Sequence, residues 1–434
     1  MKYKVFAVRP SRIVGILVLI VLTVIPPIML TGKMALLRDQ LLSYSKASNL
    51  ERSEDLLPAY GSSTSNQKYK ISNIYFLKFY KAGSTTMYNI FARYAWKHDL
   101  RVATYAHNVY MRYKPGCLIS YLHPPFKEGE NERYNFVLDH SFYEPDDIGK
   151  ILHHPITYVS MIRHPISWLE SYVRFKNWTG ILQLNDSDVV SSFLDKISTG
   201  KHEIFAKHIV DFTNNLFMLK SVNRQHGNSL EDIDKRFLIG IYEYYDESLI
   251  LMRRTFNWTF TDILYSPLRV QLYHRKAFDR SIYKRLCEFM PDQCFFYEHF
   301  NKSFTKRIQQ EGQTFFQEVK YLKSVLNRIA KFCYPVFELQ RRKIPPQLTA
   351  KPLEFNVSVW HDEFTYSHED CLLSILSPLT FRSLFYYRQN QNFSCDEKLP
   401  IGRSLRKKQI CRFMRTSDKK SYFNKIVRFI DTLM

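Results

Sequence analysis

The first long apolar run of the chain, Ile13 to Leu30, contains no charged residue and is long enough to cross a bilayer as a helix. Four Lys or Arg precede it, and no small-residue cleavage site follows it. The pattern predicts a cytosolic tail at residues 1–12 and an uncleaved signal-anchor helix at 13–30. The rest of the chain is then expected on the lumenal or extracellular side.

Polar and Ser-rich positions dominate residues 31–70, which is typical of a flexible stem. Apolar periodicity begins near Ile71 and predicts a folded domain over 71–340. Residues 341–434 form a C-terminal extension that we expect to pack on this domain. Its end, Ile401 to Met434, has ten Lys or Arg and two acidic residues. This basic segment is interpreted either as a solvated tail or as a surface that attracts acidic glycans or glycolipids.

Short apolar runs alternate with segments of helical spacing in the folded domain. Strands are predicted at Ser72–Phe79 and Thr157–Ile162, and two further short apolar runs lie at Asn135–Leu138 and Phe237–Ile241. Helical spacing follows the first strand and recurs at Ile166–Lys176, Tyr321–Phe337 and Cys371–Tyr387. This alternation predicts an α/β fold in which helices flank a parallel sheet, with ligands bound at the carboxyl ends of the strands.

Composition agrees with a folded protein. The chain has 434 residues, of which 45% are hydrophobic, and its 62 Lys and Arg against 41 Asp and Glu give a net charge of +21. This excess favours phosphate groups, polyanions or an acidic membrane surface, or serves solubility alone. We expect no nucleic-acid partner.

Two features agree with a lumenal location. Six glycosylation sequons are present, where chance gives roughly two or three, at Asn177, Asn185, Asn257, Asn301, Asn356 and Asn392. The seven cysteines include no Cys-x-x-Cys pair, so disulfides are favoured over a zinc cluster, and no metal is expected. Their pairing is not legible in the sequence.

The turn after the first strand has the chemistry of an anion site. Gly83 lets the backbone approach a ligand, and Ser84, Thr85 and Thr86 offer hydroxyl and amide groups at a helix start. Lys78, Lys81 and Ala82 complete the candidate phosphate-binding set. An ordinary helix start capped by Ser84 is the alternative. Because the Lys precedes the Gly, the Walker pattern of ATPases and GTPases is absent.

A second candidate site follows the strand Thr157–Ile162. Arg163 ends the strand, and Ser171 follows eight residues later on the predicted helix. A guanidinium and a hydroxyl can share one phosphate. A surface ion pair of Arg163 is the alternative.

Together these motifs resemble a known family. Lys-x-Gly-Ser/Thr-Thr after a strand is similar to the 5′-phosphosulfate loop of sulfotransferases, which use 3′-phosphoadenosine 5′-phosphosulfate (PAPS) and bind its 3′-phosphate with an Arg and a Ser at the spacing seen here. Further stretches, Met161-Ile-Arg-His-Pro, Tyr245-Asp-Glu-Ser-Leu and Tyr297-Glu-His-Phe-Asn, resemble the galactose 3-O-sulfotransferase family. The resemblance implies a Golgi type II membrane enzyme with a P-loop-like sulfotransferase fold. It also implies PAPS as donor co-substrate, with no permanently bound cofactor, and a terminal β-galactose on a glycolipid or glycoprotein as acceptor.

The chain departs from the family in the first loop, where Phe79-Tyr80 replaces the usual Thr-His. His140, at the end of the run Asn135–Leu138, is the candidate base that deprotonates the acceptor, with a structural role as the alternative. Lys81 is the candidate for stabilising the leaving phosphate oxygen. His153, His154 and His164 are weaker candidates.

Two other functions stay open. A Golgi glycosyltransferase would need an Asp-x-Asp motif that binds a metal ion. Two stretches match this motif, Asp186-Ser-Asp188 and Asp232-Ile-Asp234, although both are expected in solvated turns. A membrane-anchored glycan-binding protein without activity is the other alternative, which Tyr80 keeps open. Neither the acceptor nor the oligomeric state is legible in the sequence.

Overall fold

The computed structural model describes residues 70–104, 118–119, 122, 133–199, 204–209, 230–266, 279–341 and 351–389. Several predicted features lie outside these residues, namely the cytosolic tail, the signal-anchor helix, nearly all of the stem, the basic C-terminal end and Asn392. Within the described ranges, no helix is long and apolar enough to cross a membrane.

The central sheet has four parallel strands in the order β2-β1-β3-β4. Their bounds are β1 (Ile74–Leu77), β2 (Phe136–Val137), β3 (Thr157–Ile162) and β4 (Phe237–Ile241). Every strand residue is buried, so both faces of the sheet are covered, as expected for parallel strands. The α/β class with a parallel sheet is confirmed, β3 has the predicted bounds, and β4 coincides with the apolar run noted in the sequence.

Helices surround this sheet. The first six are α1 (Ser84–Lys97), α2 (Pro145–Ile151), α3 (Pro165–Phe175), α4 (Trp178–Ile181), α5 (Val189–Ser198) and α6 (Leu230–Arg236). The remaining ones are α7 (Tyr245–Phe256), α8 (Arg280–Phe289), α9 (Pro291–Gln310), α10 (Gln313–Arg341), α11 (His368–Ile375) and α12 (Pro378–Gln389). Two 3₁₀ turns, Tyr242–Tyr244 and Phe260–Ile263, precede and follow α7. Leu353–Phe355 (β5) and Phe364–Tyr366 (β6) form an antiparallel pair.

The single helix predicted at Cys371–Tyr387 is wrong, because the chain forms two helices there. Leu376 ends α11 with φ −57° and ψ 136°, which is not helical. Pro378 then begins α12, a position that suits proline because its missing N–H would have no partner in the helix. The predicted helix Tyr321–Phe337 lies inside the longer α10.

The C-terminal helices share the core of the sheet. The side-chain amide of Asn89 on α1 donates to the carbonyls of Leu373 (2.9 Å) and Leu376 (3.1 Å). The amide of Gln389 exchanges two hydrogen bonds with the backbone of Val102, at 2.7 and 3.0 Å. These bonds fix α11 and α12 against α1 and the edge of the sheet.

Two disulfides join neighbouring helices. Cys287 of α8 bonds to Cys294 of α9, and Cys333 of α10 bonds to Cys371 of α11. The other three cysteines lie outside the described residues. The second bridge attaches the C-terminal helices to α10.

Candidate active site

The carboxyl ends of the parallel strands bring the candidate residues to one edge of the sheet. Lys78 follows β1, Asp139 and His140 follow β2, Arg163 follows β3, and Tyr242 follows β4. In the sheet, β2 lies on one side of β1 and β3 lies on the other side, so the direction of the strand order reverses between β1 and β3. In open α/β sheets, ligands bind at this reversal.

The loop after β1 contains two residues with left-handed backbone, one on each side of Ala82. Lys81 has φ 61° and Gly83 has φ 71°. Gly83 is the N-cap of α1, so the interpretation of Ser84 as the cap is wrong, because Ser84 is already the first helical residue. The side chains of Ser84 and Thr86 are buried at this helix start, where the helix dipole favours an anion.

Gly83 is required by its surroundings as well as by its φ angle. A Cβ atom there would lie 2.8 Å from ring carbons of both Tyr242 and Tyr245. The hydroxyl of Tyr245 donates to the carbonyl of Gly83 at 3.4 Å. The sequence did not predict a role for either tyrosine in this loop, because both lie more than 150 residues away from it along the chain. Tyr245 belongs to one of the stretches that resemble the family, but its residue type indicated no phosphate chemistry.

The two loop lysines have different environments. Lys78 is buried, and its ammonium lies 4.5 Å from the centroid of the Tyr88 ring. Lys81 is partly exposed, with its ammonium 4.6 Å from the centroid of the Phe175 ring. Lys81 is therefore the loop cation at the solvent side.

Arg163 connects the two candidate phosphate motifs. Its guanidinium donates to the carbonyl of Lys81 at 2.8 Å and lies 4.3 Å from the centroid of the Tyr242 ring. Only 6% of Arg163 is exposed, which disfavours the alternative of an ion pair on the protein surface. Ser171 is buried on α3, about two helical turns further along the chain.

His140 is held in a defined orientation. Its Nδ1 lies 2.8 Å from the carbonyl oxygen of Lys78, and since a carbonyl only accepts, Nδ1 carries the proton. The Tyr80 ring stacks on the imidazole with centroids 3.8 Å apart and planes at 15°. Burial, with the charges of Lys78 and Arg382, holds the pKa of His140 well below its usual range. The neutral ring therefore has its lone pair on Nε2.

The residue before His140 is tied to the C-terminal helices. Arg382 of α12 donates to both carboxylate oxygens of Asp139, at 2.9 and 3.0 Å. Both side chains are nearly buried, with 14% and 7% exposed. This bidentate salt bridge joins two residues that are 243 positions apart in the sequence, and it was not predicted.

A further set of contacts supports the ends of β1 and β3. The indole of Trp168 donates to the carbonyl of Tyr80 at 2.9 Å. The carboxylate of Glu243 accepts from the backbone N–H of His164 at 3.1 Å and from the hydroxyl of Tyr297 at 3.3 Å. Burial raises the pKa of Glu243.

The three weaker histidine candidates make contacts with other protein groups. The His164 ring packs against the rings of Tyr283 and Tyr297, and burial lowers its pKa to about 4. The ring of His154 bonds to the carbonyl of Gly149 at 3.0 Å. The backbone of His153 donates to Tyr134.

The two Asp-x-Asp sequences have other roles in the structure. Asp188 caps α5 by accepting from Ser191, and Asp186 pairs with Arg174. Asp232 and Asp234 lie on α6 rather than in a turn, and the carboxylate of Asp234 accepts from Ser303 and Arg307. Among the residues that the structure describes, no group of acidic, His and Cys side chains could hold a metal ion.

Comparison with known proteins decides the family. The family model described as galactose-3-O-sulfotransferase matches residues 10–343. The chain belongs to the galactose-3-O-sulfotransferase family. The resemblance inferred from the motifs is thereby confirmed, and the match includes every candidate catalytic and donor-binding residue predicted from the sequence.

Relatives within the galactose-3-O-sulfotransferase family are distant. The chain is 29% identical to galactose-3-O-sulfotransferase 2 of Sus scrofa over 262 residues, which cover 56% of this chain and 63% of that protein. It is 24% identical to galactosylceramide sulfotransferase of Mus musculus over 300 residues, covering 64% of this chain and 67% of that protein. The alignment thus spans less than two thirds of the pig protein's length. No solved structure matches this chain.

Proposed function

We propose that this member of the galactose-3-O-sulfotransferase family transfers sulfate from PAPS to the 3-hydroxyl of a terminal β-galactose. The observation that carries the proposal is the hydrogen bond from Arg163 to the carbonyl of Lys81. It places a buried guanidinium against the loop that resembles the 5′-phosphosulfate loop. Both phosphates of one nucleotide can then be held where the strand order reverses.

The residues at this edge fit such a donor. Lys78, Lys81 and Arg163 provide three positive charges, and the left-handed Gly83 turns the loop into the start of α1, where the helix dipole favours an anion. The 5′-phosphate is assigned to residues 81–86, together with Lys78. The 3′-phosphate is assigned to Arg163 and Ser171.

Transfer needs a base and a cation in this arrangement. PAPS supplies the sulfuryl group when bound. His140 accepts the proton of the acceptor hydroxyl at Nε2, since its Nδ1 proton is committed to Lys78. Lys81 stabilises the negative charge that develops on the leaving phosphate oxygen. Positioning and electrostatics then account for catalysis, as in phosphoryl transfer.

The proposed acceptor and compartment rest on separate features. Relatives named galactose-3-O-sulfotransferase and galactosylceramide sulfotransferase favour a galactose on a glycan or a glycolipid as acceptor. The anchor pattern at 13–30 and the two disulfides favour a type II enzyme in the Golgi lumen. Asn177, Asn185 and Asn356 are exposed, as glycosylation requires, whereas Asn257 and Asn301 are partly buried.

A transfer assay tests the proposal. Full-length protein in detergent is given PAPS labelled in its sulfuryl group, galactosylceramide and a panel of β-galactosides. We expect labelled product, a loss of kcat of about 10²–10³ in Lys81→Ala, and about 10²–10⁴ in His140→Ala. Lys351→Ala, an exposed lysine on the C-terminal segment, is the matched control.

Each arm of this assay can contradict one assignment. Full activity of His140→Ala would remove the base assignment. Absence of PAPS binding by the parent protein would favour the anchored glycan-binding protein. Transfer of a sugar from a nucleotide sugar, dependent on a metal ion, would support the glycosyltransferase instead.

A further inference from the structure

Phe175 is an exposed aromatic residue at the end of α3. Of its surface, 53% is accessible, whereas Trp168 and Tyr172 on the same helix are at most 1% exposed. Removing the exposed part of such a ring from water would be favourable. The ring is therefore available to a ligand.

The position of this ring relates it to the proposed donor site. The ammonium of Lys81 lies 4.6 Å from the ring centroid. Phe175 also follows Ser171 by four residues on one helix, which places both side chains on the same face about one turn apart. The ring thus lies beside the loop lysine assigned to the leaving oxygen, where the acceptor hydroxyl must arrive.

A galactose has a surface that suits this ring. Because its 4-hydroxyl is axial, the C–H groups of carbons 3, 4 and 5 lie together on one face of the sugar. The face of an aromatic ring carries negative charge density and attracts the weakly positive hydrogens of such groups. The 3-hydroxyl is equatorial, so it stays at the edge of the stacked sugar and can still reach a base.

We propose that Phe175 is the platform on which the terminal β-galactose of the acceptor stacks during transfer. This inference rests on the proposed function and adds a binding residue for the acceptor. Stacking on Phe175 orients the sugar with its 3-hydroxyl toward the site between Lys81 and His140. The adenine of the donor is the other occupant to test, because Ser171, one turn away, is assigned to the donor's 3′-phosphate, and the separate measurement of donor binding distinguishes the two.

The test compares acceptor and donor binding in Phe175→Ala and Phe175→Trp. Full-length protein in detergent is assayed with methyl β-galactoside as acceptor at saturating PAPS. Loss of an aromatic contact predicts an acceptor KM raised about three- to tenfold in Phe175→Ala, and within about twofold of the parent in Phe175→Trp. Phe295→Ala is the control, since Phe295 on α9 is 59% exposed.

Donor binding is measured separately, by calorimetry with adenosine 3′,5′-bisphosphate. We expect its Kd to change less than about twofold in Phe175→Ala, because the ring is assigned to the acceptor. An unchanged acceptor KM would overturn the proposal. So would a fall in kcat alone, which would mean that the ring acts through Lys81, or a loss of nucleotide affinity equal to the loss for the acceptor.

Failure of the proposed function has a different signature. If the parent transfers no sulfate, binding of methyl β-galactoside to the nucleotide-loaded protein is followed by saturation-transfer NMR. Sugar signals that are present for the parent and lost in Phe175→Ala would still support the platform. Equal signals, or none for either protein, would overturn it.

Discussion

At the scale of single residues, Gly83 shows how one position can be constrained twice. Its left-handed backbone allows the loop to turn into α1, and the rings of Tyr242 and Tyr245 occupy the space where a side chain would start. The sequence placed Gly83 in a turn that lets the backbone approach a ligand, and it did not predict the left-handed φ angle. It could not predict the ring contacts, because the two rings come from a distant part of the chain.

Substitution of Gly83 by Ala is expected to disturb both the loop and donor binding. The left-handed backbone costs about 1–2 kcal/mol for a residue with a Cβ, and the ring contacts add about 1–3 kcal/mol. Urea unfolding should therefore show a loss of roughly 2–5 kcal/mol in the free energy of unfolding. Gly149→Ala is the control, because a Cβ there meets nothing within 4 Å. Equal stability of the two variants would contradict the requirement for Gly83.

Tyr80 belongs to the pair Phe79-Tyr80, which the resemblance led us to expect as a departure from the family, and in the structure it contacts His140. Its ring stacks on the neutral His140, so it contributes to the burial that lowers the pKa of the imidazole. Protonated His140 cannot accept a proton. Activity is therefore expected to be present above this lowered pKa and to be lost as the pH falls through it.

Replacing Tyr80 by Leu should move the acid limb of the pH profile. With less burial, the pKa of His140 rises toward its usual value of about 6.5, so activity is lost at a higher pH than in the parent. Lys78 and Arg382, the charged neighbours that also lower this pKa, stay in place. The measurement is kcat/KM from about pH 4.5 to 8. Tyr80→Phe keeps the ring and should follow the parent; a Tyr80→Leu profile identical to the parent would exclude the stacking role.

At the scale of elements, the strands were predicted better than the packing of helices. Continuous apolar runs located β3 and β4 to the residue, because buried parallel strands are apolar on both faces. The break between α11 and α12 was missed, although Pro378 was visible. Apolar positions continue across it, so periodicity alone gave one helix.

The α12 helix has a direct connection to the site through Arg382. Because both partners of the Asp139 bridge are nearly buried, Arg382→Gln would leave a carboxylate without its cation. We expect a loss of about 3 kcal/mol in the free energy of unfolding, together with a reduced kcat. Lys351→Gln removes an exposed bridge to Glu354 and should cost less than about 1 kcal/mol. Similar losses of unfolding free energy in both variants would show that the buried salt bridge stabilises the protein no more than the exposed one.

At the scale of the whole molecule, the candidate site depends on contacts between distant parts of the chain. The motifs, their order along the chain and the parallel sheet were predictable, since each is encoded within a short stretch. Arg382 and Phe175 were not, because a side chain of ordinary type gains its role only from the fold. The family match ends at residue 343, whereas Arg382 lies beyond it.

The disulfides should contribute unequally to the stability of the whole molecule. Cys333 and Cys371 are 38 residues apart, whereas Cys287 and Cys294 are 7 apart. In the chain-entropy account, the longer loop stabilises by about 4 kcal/mol and the shorter by about 2.5 kcal/mol. Paired Cys→Ser substitutions, compared by urea unfolding, should follow this order. The reverse order would mean that contacts other than loop closure dominate.

The central claim is that Arg163 and the first loop hold two phosphates of one nucleotide. Calorimetry of the parent and of Arg163→Met with adenosine 3′,5′-bisphosphate and adenosine 5′-phosphate tests it directly. We predict that the 3′-phosphate strengthens binding about tenfold to a hundredfold in the parent, as one charge-assisted contact can. Most of this advantage should be lost in Arg163→Met, where Ser171 alone is left for the 3′-phosphate, while the affinity for adenosine 5′-phosphate falls by a smaller factor. Equal affinities for the two nucleotides in the parent protein would contradict the account.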